Sequence, residues 1–446
     1  MRSARLFLTA AILFLAVVCV SAQTARKAIE ADPAKASHVF NMYPEQIPEH
    51  ARPPKGFKPF YISHYGRHGA RNNGSDSDFV LFRDMLEEAY QAGNLTPAGE
   101  EARLRFQKAF PKLYLRGGEL SSKGWRQHHD IATRMMTDYP EVFRGKEVRV
   151  DARSTAVPRC IMSMAAFCDA LKERNTSLQI SQNTGAWLVN PLNPFTIANP
   201  DCHPNDAGFE NRHAAWNRSY HAWRRKLLHP EVFFGNLFKD TAFLKKYAPN
   251  SLYPLEETLI SMSGTMQCSD VDISLVDLYP FEEVYNNYLL VNYKYYASKG
   301  PDTLIQKGRQ WALVLPFFDD LLSCAESDMA SGDVAVRLRF GHDITLMSMM
   351  TFLDVDGWNK PASDPWEIAE YWNCYRVPMA SNAQFIFYRN RRGEILVRMM
   401  YNEADVFLPI ESEVAPYYRW EDFRNFCLAR KAVARHILDT TKPPKS

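Results

Sequence analysis

The chain has 446 residues, 46% of them hydrophobic and 13% aromatic, with no long low-complexity tract. That composition fits a large globular protein of two or three compact units and excludes a disordered chain. A formal charge of +2 excludes a global basic field of the kind that holds nucleic acid. Met1 to Ala22 reads as an export signal: Arg2 and Arg5, an apolar run from Leu6 to Val20, then small residues before Gln23. The run is short for a spanning helix and no later stretch reaches its length, so no transmembrane segment is expected, and the protein is expected in a periplasm or outside the cell. A strand over 60–64 leads into Arg67-His68-Gly69-Ala70-Arg71. Phe79, Phe82, Met85, Leu86 and Ala89 recur at helical spacing and stop at Gly93. Thr96-Pro97 restarts a helix as cap and first residue, and a further helix runs from about Lys123 to Asp138, before Pro140.

Val148 to Asp151 reads as a strand, and Cys160 to Leu171 as an apolar helix, so Arg159 falls in that helix's first turn. Residues 185–320 alternate Asn-Pro loops with long helical stretches, among them Glu283–Lys299, closed by Gly300-Pro301, and Pro316–Asp328. Strand–helix alternation resumes with Val334–Phe340, which runs into Gly341-His342-Asp343. This order predicts an α/β core with a mainly parallel sheet flanked by helices and an inserted helical cap. The expected divisions are 1–22 signal peptide, 23–184 first part of the core, 185–332 cap, 333–440 second part of the core and 441–446 disordered tail.

Three clusters carry chemistry. In the first, Arg67 and Arg71 flank His68, and a guanidinium can grip the oxygens of a phosphate with two parallel hydrogen bonds. A neutral imidazole between them can attack phosphorus. In the second, Arg159 stands where a cation opposes the helix dipole unless a bound anion needs both. The third, His342-Asp343, ends a strand at the sheet's carboxyl edge, where α/β folds bind ligands. Singly, each has a plainer reading: a solvated basic turn, a surface arginine, an N-cap acid beside a packed histidine.

Together the clusters resemble the histidine phosphatase superfamily, in its second branch of acid phosphatases, phytases and inositol-polyphosphate phosphatases. The nucleophile motif Arg-His-Gly-x-Arg stands as Arg67–Arg71. The middle motif stands as Arg153-Ser-Thr-Ala-Val-Pro-Arg159 followed by Cys-Ile-Met-Ser163, and the late motif as His342-Asp343. Glu119-Leu-Ser-Ser-Lys-Gly124 resembles the family's Leu-Thr-x-x-Gly helix start. Phe385–Arg389 and Glu394–Arg398, ending at Asn402-Glu403, resemble the closing hairpin of the inositol-polyphosphate phosphatases. Two positions depart: Asn73 stands where the family usually has proline, and His-Asp replaces the His-Ala-Glu of the multiple inositol-polyphosphate phosphatases.

The resemblance implies a phosphoglycerate-mutase-like core and a phosphomonoesterase with no cofactor and no metal. It makes His68 the nucleophile and Asp343 the proton donor, with Arg67, Arg71, Arg159 and His342 binding phosphate. The implied partner is a small-molecule phosphate ester, first of all an inositol polyphosphate such as phytate. A broad acid phosphatase, a phosphate-binding protein with little turnover, and a phosphotransferase or mutase are the alternatives. Asp201-Cys202-His203 and His128-His129 lack a second ligand pair at metal-binding spacing. Seven cysteines follow the signal, and an odd count leaves at least one outside any intramolecular disulfide. No motif sets an oligomeric state.

Overall fold

The computed structural model describes residues 25–145, 147–196, 198–202, 215–301 and 307–441. The expected signal at 1–22, His203, and residues 442–446 of the expected tail lie outside them. In chain order the principal elements are β1 (Lys58–Arg67), α1 (Asp76–Gln91), α2 (Pro97–Leu113), α3 (Ser122–Asp138), β2 (Arg149–Ser154), α4 (Pro158–Arg174) and β3 (Gln179–Thr184). Then come α5 (Ala215–Leu227), α6 (Tyr253–Thr265), α7 (Phe281–Lys299) and α8 (Leu315–Ser331). The chain closes with β4 (Val336–Gly341), α9 (Asp343–Leu353), β5 (Asn382–Arg389), β6 (Ile395–Tyr401), β7 (Ala404–Asp405), β8 (Tyr417–Arg419) and α10 (Trp420–Thr440).

The strands form one sheet in the order β3-β2-β4-β1-β5-β6-β7, with β8 also on β6. β3, β2, β4 and β1 are mutually parallel; β5 and β6 are antiparallel, the hairpin expected from their sequence. The sheet is mixed α/β and flanked by helices, as the strand–helix alternation predicts. On one side α3 and α4 pack on it, burying Ile131, Met135, Phe167 and Leu171 against Val336, Leu338 and Phe340.

The alternation in β4 has a second half. Val336, Leu338 and Phe340 enter that core, while Arg337 and Arg339 take the opposite face. Arg339, 1% exposed, meets Asp320 Oδ2 at 2.6 Å and donates to Ser63 Oγ at 2.8 Å. Arg337 pairs with Asp328 and Asp151. Asp320 and Asp328 both come from α8, which therefore supplies the carboxylates that let a central strand carry two arginines.

The helices of the chain's middle share a core with α1 and α2: Phe79, Phe82 and Phe106 belong with Phe233, Leu237, Leu259 and Leu289. The join is also polar. Thr96 N donates to the Leu237 carbonyl at 3.1 Å and Thr96 Oγ1 to that of Asn236, while Thr96 Oγ1 caps α2 by accepting from Gly99 N at 3.0 Å. Near the N-terminus, Pro33–Phe40 forms a 3₁₀ segment capped by Asp32, packed against α6, α7 and the turn Cys374–Arg376.

Candidate active site

Parallel pairing brings the carboxyl ends of β1, β4 and β2 side by side, with Arg67 in register with Gly341 and Ser154 with Phe340. Backbone bonds continue the alignment past the strands: His68 N donates to Gly341 O at 3.0 Å and Thr155 N to Phe340 O at 3.1 Å. His342 then caps α9 and Asp343 opens it, its Oδ1 accepting from Ile344 N at 2.9 Å. Arg159 is the second residue of α4, after Pro158.

The loop after His68 is fixed from α3 and α4. Gly69 N donates to Ser163 Oγ at 3.0 Å, and that hydroxyl donates to Arg159 O at 2.7 Å. Ala70 N donates to Gln127 Oε1 at 2.8 Å. Gly69 and Gly124 meet backbone to backbone: a β-carbon on Gly69 would lie 2.5 Å from Gly124 O, and one on Gly124 would lie 2.2 Å from Ala70 O. Asn73 fastens the far end by donating to Ser75 O at 2.9 Å and Asp78 Oδ2 at 2.8 Å.

The six expected site residues converge. His68 is 3% exposed, with Nδ1 3.0 Å from Gly69 O. A carbonyl only accepts, so Nδ1 carries the proton and Nε2 presents its lone pair. Burial, then the guanidiniums of Arg67, Arg159 and Arg71, hold the imidazole pKa well below its ordinary value. The His342 ring lies 5.9 Å from that of His68 at 74°, its Nε2 3.3 Å from Thr155 Oγ1. Burial and the same three arginines, against the pull of Asp343, bring His342 down to about 4.

Arg67 is 1% exposed; its Nη1 donates to the carbonyls of Val39 and Val377, and its Nη2 lies 3.2 Å from Asp343 Oδ2. Burial works against ionisation of Asp343, but Arg67, His342 and Arg71 outweigh it and hold the carboxyl below its usual range. Arg71 donates to Asn72 O at 2.8 Å and lies 5.0 Å over the Phe40 ring; burial beside Arg159 and Arg67 lowers it to about 10. Nε of Arg67, Arg71 and Arg159 is buried without a hydrogen-bond partner. Three guanidiniums gathered around His68, with one carboxylate paired to Arg67, make a receptor for a dianion. Beside Arg159 opens a cleft of about 500 Å³ whose lining includes Arg116, Glu119, Trp125, Arg126 and Met162.

Several residues here escape motif reading. Val39 and Phe40 arrive from the N-terminal segment, and half-buried Tyr295 on α7 is raised well above the ordinary phenol by burial and then Asp343. Nothing local in the sequence marks them, because only the tertiary path of the segment brings them in. Thr155 lies inside the arginine motif and was open to assignment there. Glu403 is occupied elsewhere, paired with Arg134 at 2.7 Å and accepting from Tyr43 at 2.9 Å. His129 pairs with Glu173 and Asp201 with Arg435, and among the described residues no three His, Cys, Asp or Glu side chains are grouped to hold a metal. Among the described residues no disulfide joins two cysteines.

The model of the histidine phosphatase superfamily (branch 2) matches residues 66–402. No curated protein sequence matches the chain. Among solved structures, the Bifidobacterium longum multiple inositol polyphosphate phosphatase in complex with phosphate is similar at TM-score 0.71 and 17% identity, over 89% of this chain and 98% of that one. The same enzyme with inositol hexasulfate gives TM-score 0.68 and 17% identity, over 87% and 97%. The phytase from D. castellii gives TM-score 0.60 and 13% identity, over 89% and 86%. At these identities the likeness is one of fold.

Proposed function

We propose, for a chain that belongs to the histidine phosphatase superfamily, branch 2, hydrolysis of phosphate monoesters by way of a phosphohistidine on His68. The observation that carries the reading is the state of His68: a neutral imidazole, its Nδ1 hydrogen bonded to a carbonyl and its Nε2 free, among Arg67, Arg71 and Arg159. In the first half, Nε2 attacks phosphorus and the bond from phosphorus to the ester oxygen breaks. Asp343 gives its proton to that oxygen, and the alcohol leaves. The guanidiniums and His342 stabilise the charge spread over the three equatorial oxygens. In the second half, Asp343, now a carboxylate, takes a proton from water, which displaces the phosphoryl group and restores His68.

Asp343 must be protonated for the first half, although Arg67 favours its carboxylate in the free protein. An arriving phosphate dianion opposes that, competing for Arg67 and repelling the carboxylate, and so raises the acid's pKa when the acid is needed. Inositol polyphosphates, phytate among them, are the substrates we favour. The fold shared with inositol polyphosphate phosphatases and phytases supports this, as do Arg116 and Arg126 on the cleft beside Arg159. We further propose export, directed by Met1–Ala22. Rapid-quench trapping tests the mechanism: an acid-labile phosphoryl group on wild-type protein, absent from His68→Ala, is expected. Turnover with no such adduct refutes it. Comparing phytate, glucose 1-phosphate and p-nitrophenyl phosphate as substrates decides the class.

A further inference from the structure

Tyr65, on β1 two residues before Arg67, is a buried phenol that the mechanism above does not use. It joins the core on the same face as Tyr61, and its ring meets Phe317 of α8 edge-on, centroids 5.4 Å apart at 85°. The side chain is 0% exposed, and a buried hydroxyl has to find partners. Its oxygen accepts from His342 N at 3.0 Å, and it lies 2.7 Å from Leu192 O and 3.4 Å from His342 O. A phenol has one proton to give, and the shorter distance assigns it to Leu192.

These partners lie where the sheet stops holding the late motif. Register pairing of β1 with β4 ends at Arg67 and Gly341, and His68 N takes the Gly341 carbonyl at 3.0 Å. The next amide along, that of His342, goes to the Tyr65 hydroxyl, while the His68 carbonyl accepts from Ala380 N at 3.0 Å. The approach is close: a β-carbon on Gly341 would lie 2.2 Å from the Tyr65 hydroxyl oxygen and 2.8 Å from Leu192 O. The Leu192 carbonyl accepts a second time, from Thr345 Oγ1 at 3.3 Å, in the first turn of α9. Leu192 itself ends the short helix Val189–Leu192, which packs on α8. One phenol thus ties β1 both to that stretch and to the backbone from which the helix of Asp343 begins.

We propose that Tyr65 is a positioning residue for Asp343, fixing the point at which the acid leaves the sheet. The inference rests on the phosphatase reading and on Asp343 as the proton donor. Arg67 and Ile344 N hold the Asp343 carboxylate, at 3.2 Å and 2.9 Å. Tyr65 holds the main chain one residue earlier, and so sets where that carboxylate starts from. Proton transfer to a leaving oxygen depends steeply on position, and a misplacement of about 1 Å can cost about 100-fold. Tyr65 acts through this backbone and not on the ester.

The test uses the full chain with Tyr65→Phe, which keeps the ring and deletes the oxygen. It reads kcat/KM on p-nitrophenyl phosphate and on an alkyl ester (phytate, or glucose 1-phosphate where phytate is not turned over). This ratio of constants extends only as far as ester cleavage, so hydrolysis of the phosphohistidine does not enter. We expect the alkyl ester to lose about tenfold or more and p-nitrophenyl phosphate to stay within about threefold, because an activated leaving group needs little protonation. A merely structural loss lowers both alike. In the Asp343→Asn background, Tyr65→Phe should leave the ratio between the two esters unchanged, since the acid through which it acts is gone. Equal losses on both esters, no loss on the alkyl ester, or a further change of the ratio in that background overturns the proposal. If Tyr65→Phe does not fold, Thr345→Val, which loosens the same Leu192 carbonyl from the α9 side, is read by the same criteria. If Asp343→Asn itself slows both esters equally, or wild type hydrolyses neither, the reading under which Asp343 is the acid fails, and this inference with it.

Discussion

The guanidinium of Arg67 stands 3.2 Å from the carboxylate of Asp343, so the residue before the proposed nucleophile also holds the proposed acid. Removing the carboxyl's acidity therefore tests a role that geometry has tied to the phosphate site. Asp343→Asn is expected to slow inositol phosphates far more than p-nitrophenyl phosphate, within the roughly 100- to 10,000-fold range of general acid–base catalysis. A good leaving group needs little protonation. Inorganic phosphate binding checks that His342 stays in place, and phosphohistidine trapping checks that ester cleavage limits the rate. Equal slowing of both substrates under those controls takes the acid's role from Asp343.

His68→Ala is expected to abolish turnover while leaving the fold intact, because it removes the imidazole nitrogen proposed to attack phosphorus among Arg67, Arg71 and Arg159. Loss of a nucleophile costs several kcal/mol of barrier. Activity within about tenfold of wild type would reassign the nucleophile.

The depressed pKa of His68 has a direct signature. A histidine whose folded pKa lies below its ordinary value stays neutral on lowering pH until that lower pKa is reached. In histidine-labelled protein, the resonance lost in His68→Ala should show no titration between about pH 5 and 8, where an ordinary histidine changes charge. A midpoint near the ordinary value contradicts the burial and the arginine field as described.

The charge that binds the phosphoryl group is assigned to Arg67, Arg71 and Arg159. Activity should accordingly survive EDTA and fall with vanadate, which mimics five-coordinate phosphorus. Loss on chelation, reversed by a divalent ion, would assign that work to a metal.

Arg339 and Asp320 offer a stability test away from the chemistry. Asp320→Ala leaves a 1%-exposed guanidinium without its nearest carboxylate, and breaking a buried pair costs about 3–5 kcal/mol. Burial acts against the Asp320 carboxylate, but Arg339 and Arg153 outweigh it and lower its pKa. A carboxyl depressed in the fold stabilises above its unfolded pKa, near 4, and loses that contribution as pH falls through the folded value. Urea denaturation should show wild type and Asp320→Ala converging as pH falls below about 4. A gap under about 1 kcal/mol at pH 7 would mean the pair is dispensable.

Local signals made much of this molecule legible. Thr96-Pro97 caps and opens α2, Gly300-Pro301 closes α7, and the alternation of 334–340 is β4. All six motif residues meet because each ends a strand, lies in the loop that follows it or begins the helix after one, and parallel pairing brings such positions to one edge. The paired faces of distant elements were not legible. Arg337 and Arg339 look out of place in a central strand until Asp320 and Asp328 on α8 are set against them. The association of α1 and α2 with the helices around Phe233 and Leu259 has no local cue either, since apolar periodicity gives a face but not its partner. Val39 and Phe40 follow the same rule, reaching the site by a path that no spacing encodes.

Gly69 and Gly124 touch through their main chains, and this limits how such a site can change over time. A contact made by side chains can be loosened or tightened one methylene at a time. This one has no methylene to add or remove, so the height of His68 above α3 is inherited whole. Adaptation to a different ester has to act where side chains end in open space: the cleft of Arg116, Trp125, Arg126 and Met162. Variation among descendants of this chain should gather there and leave the floor of the pocket unchanged.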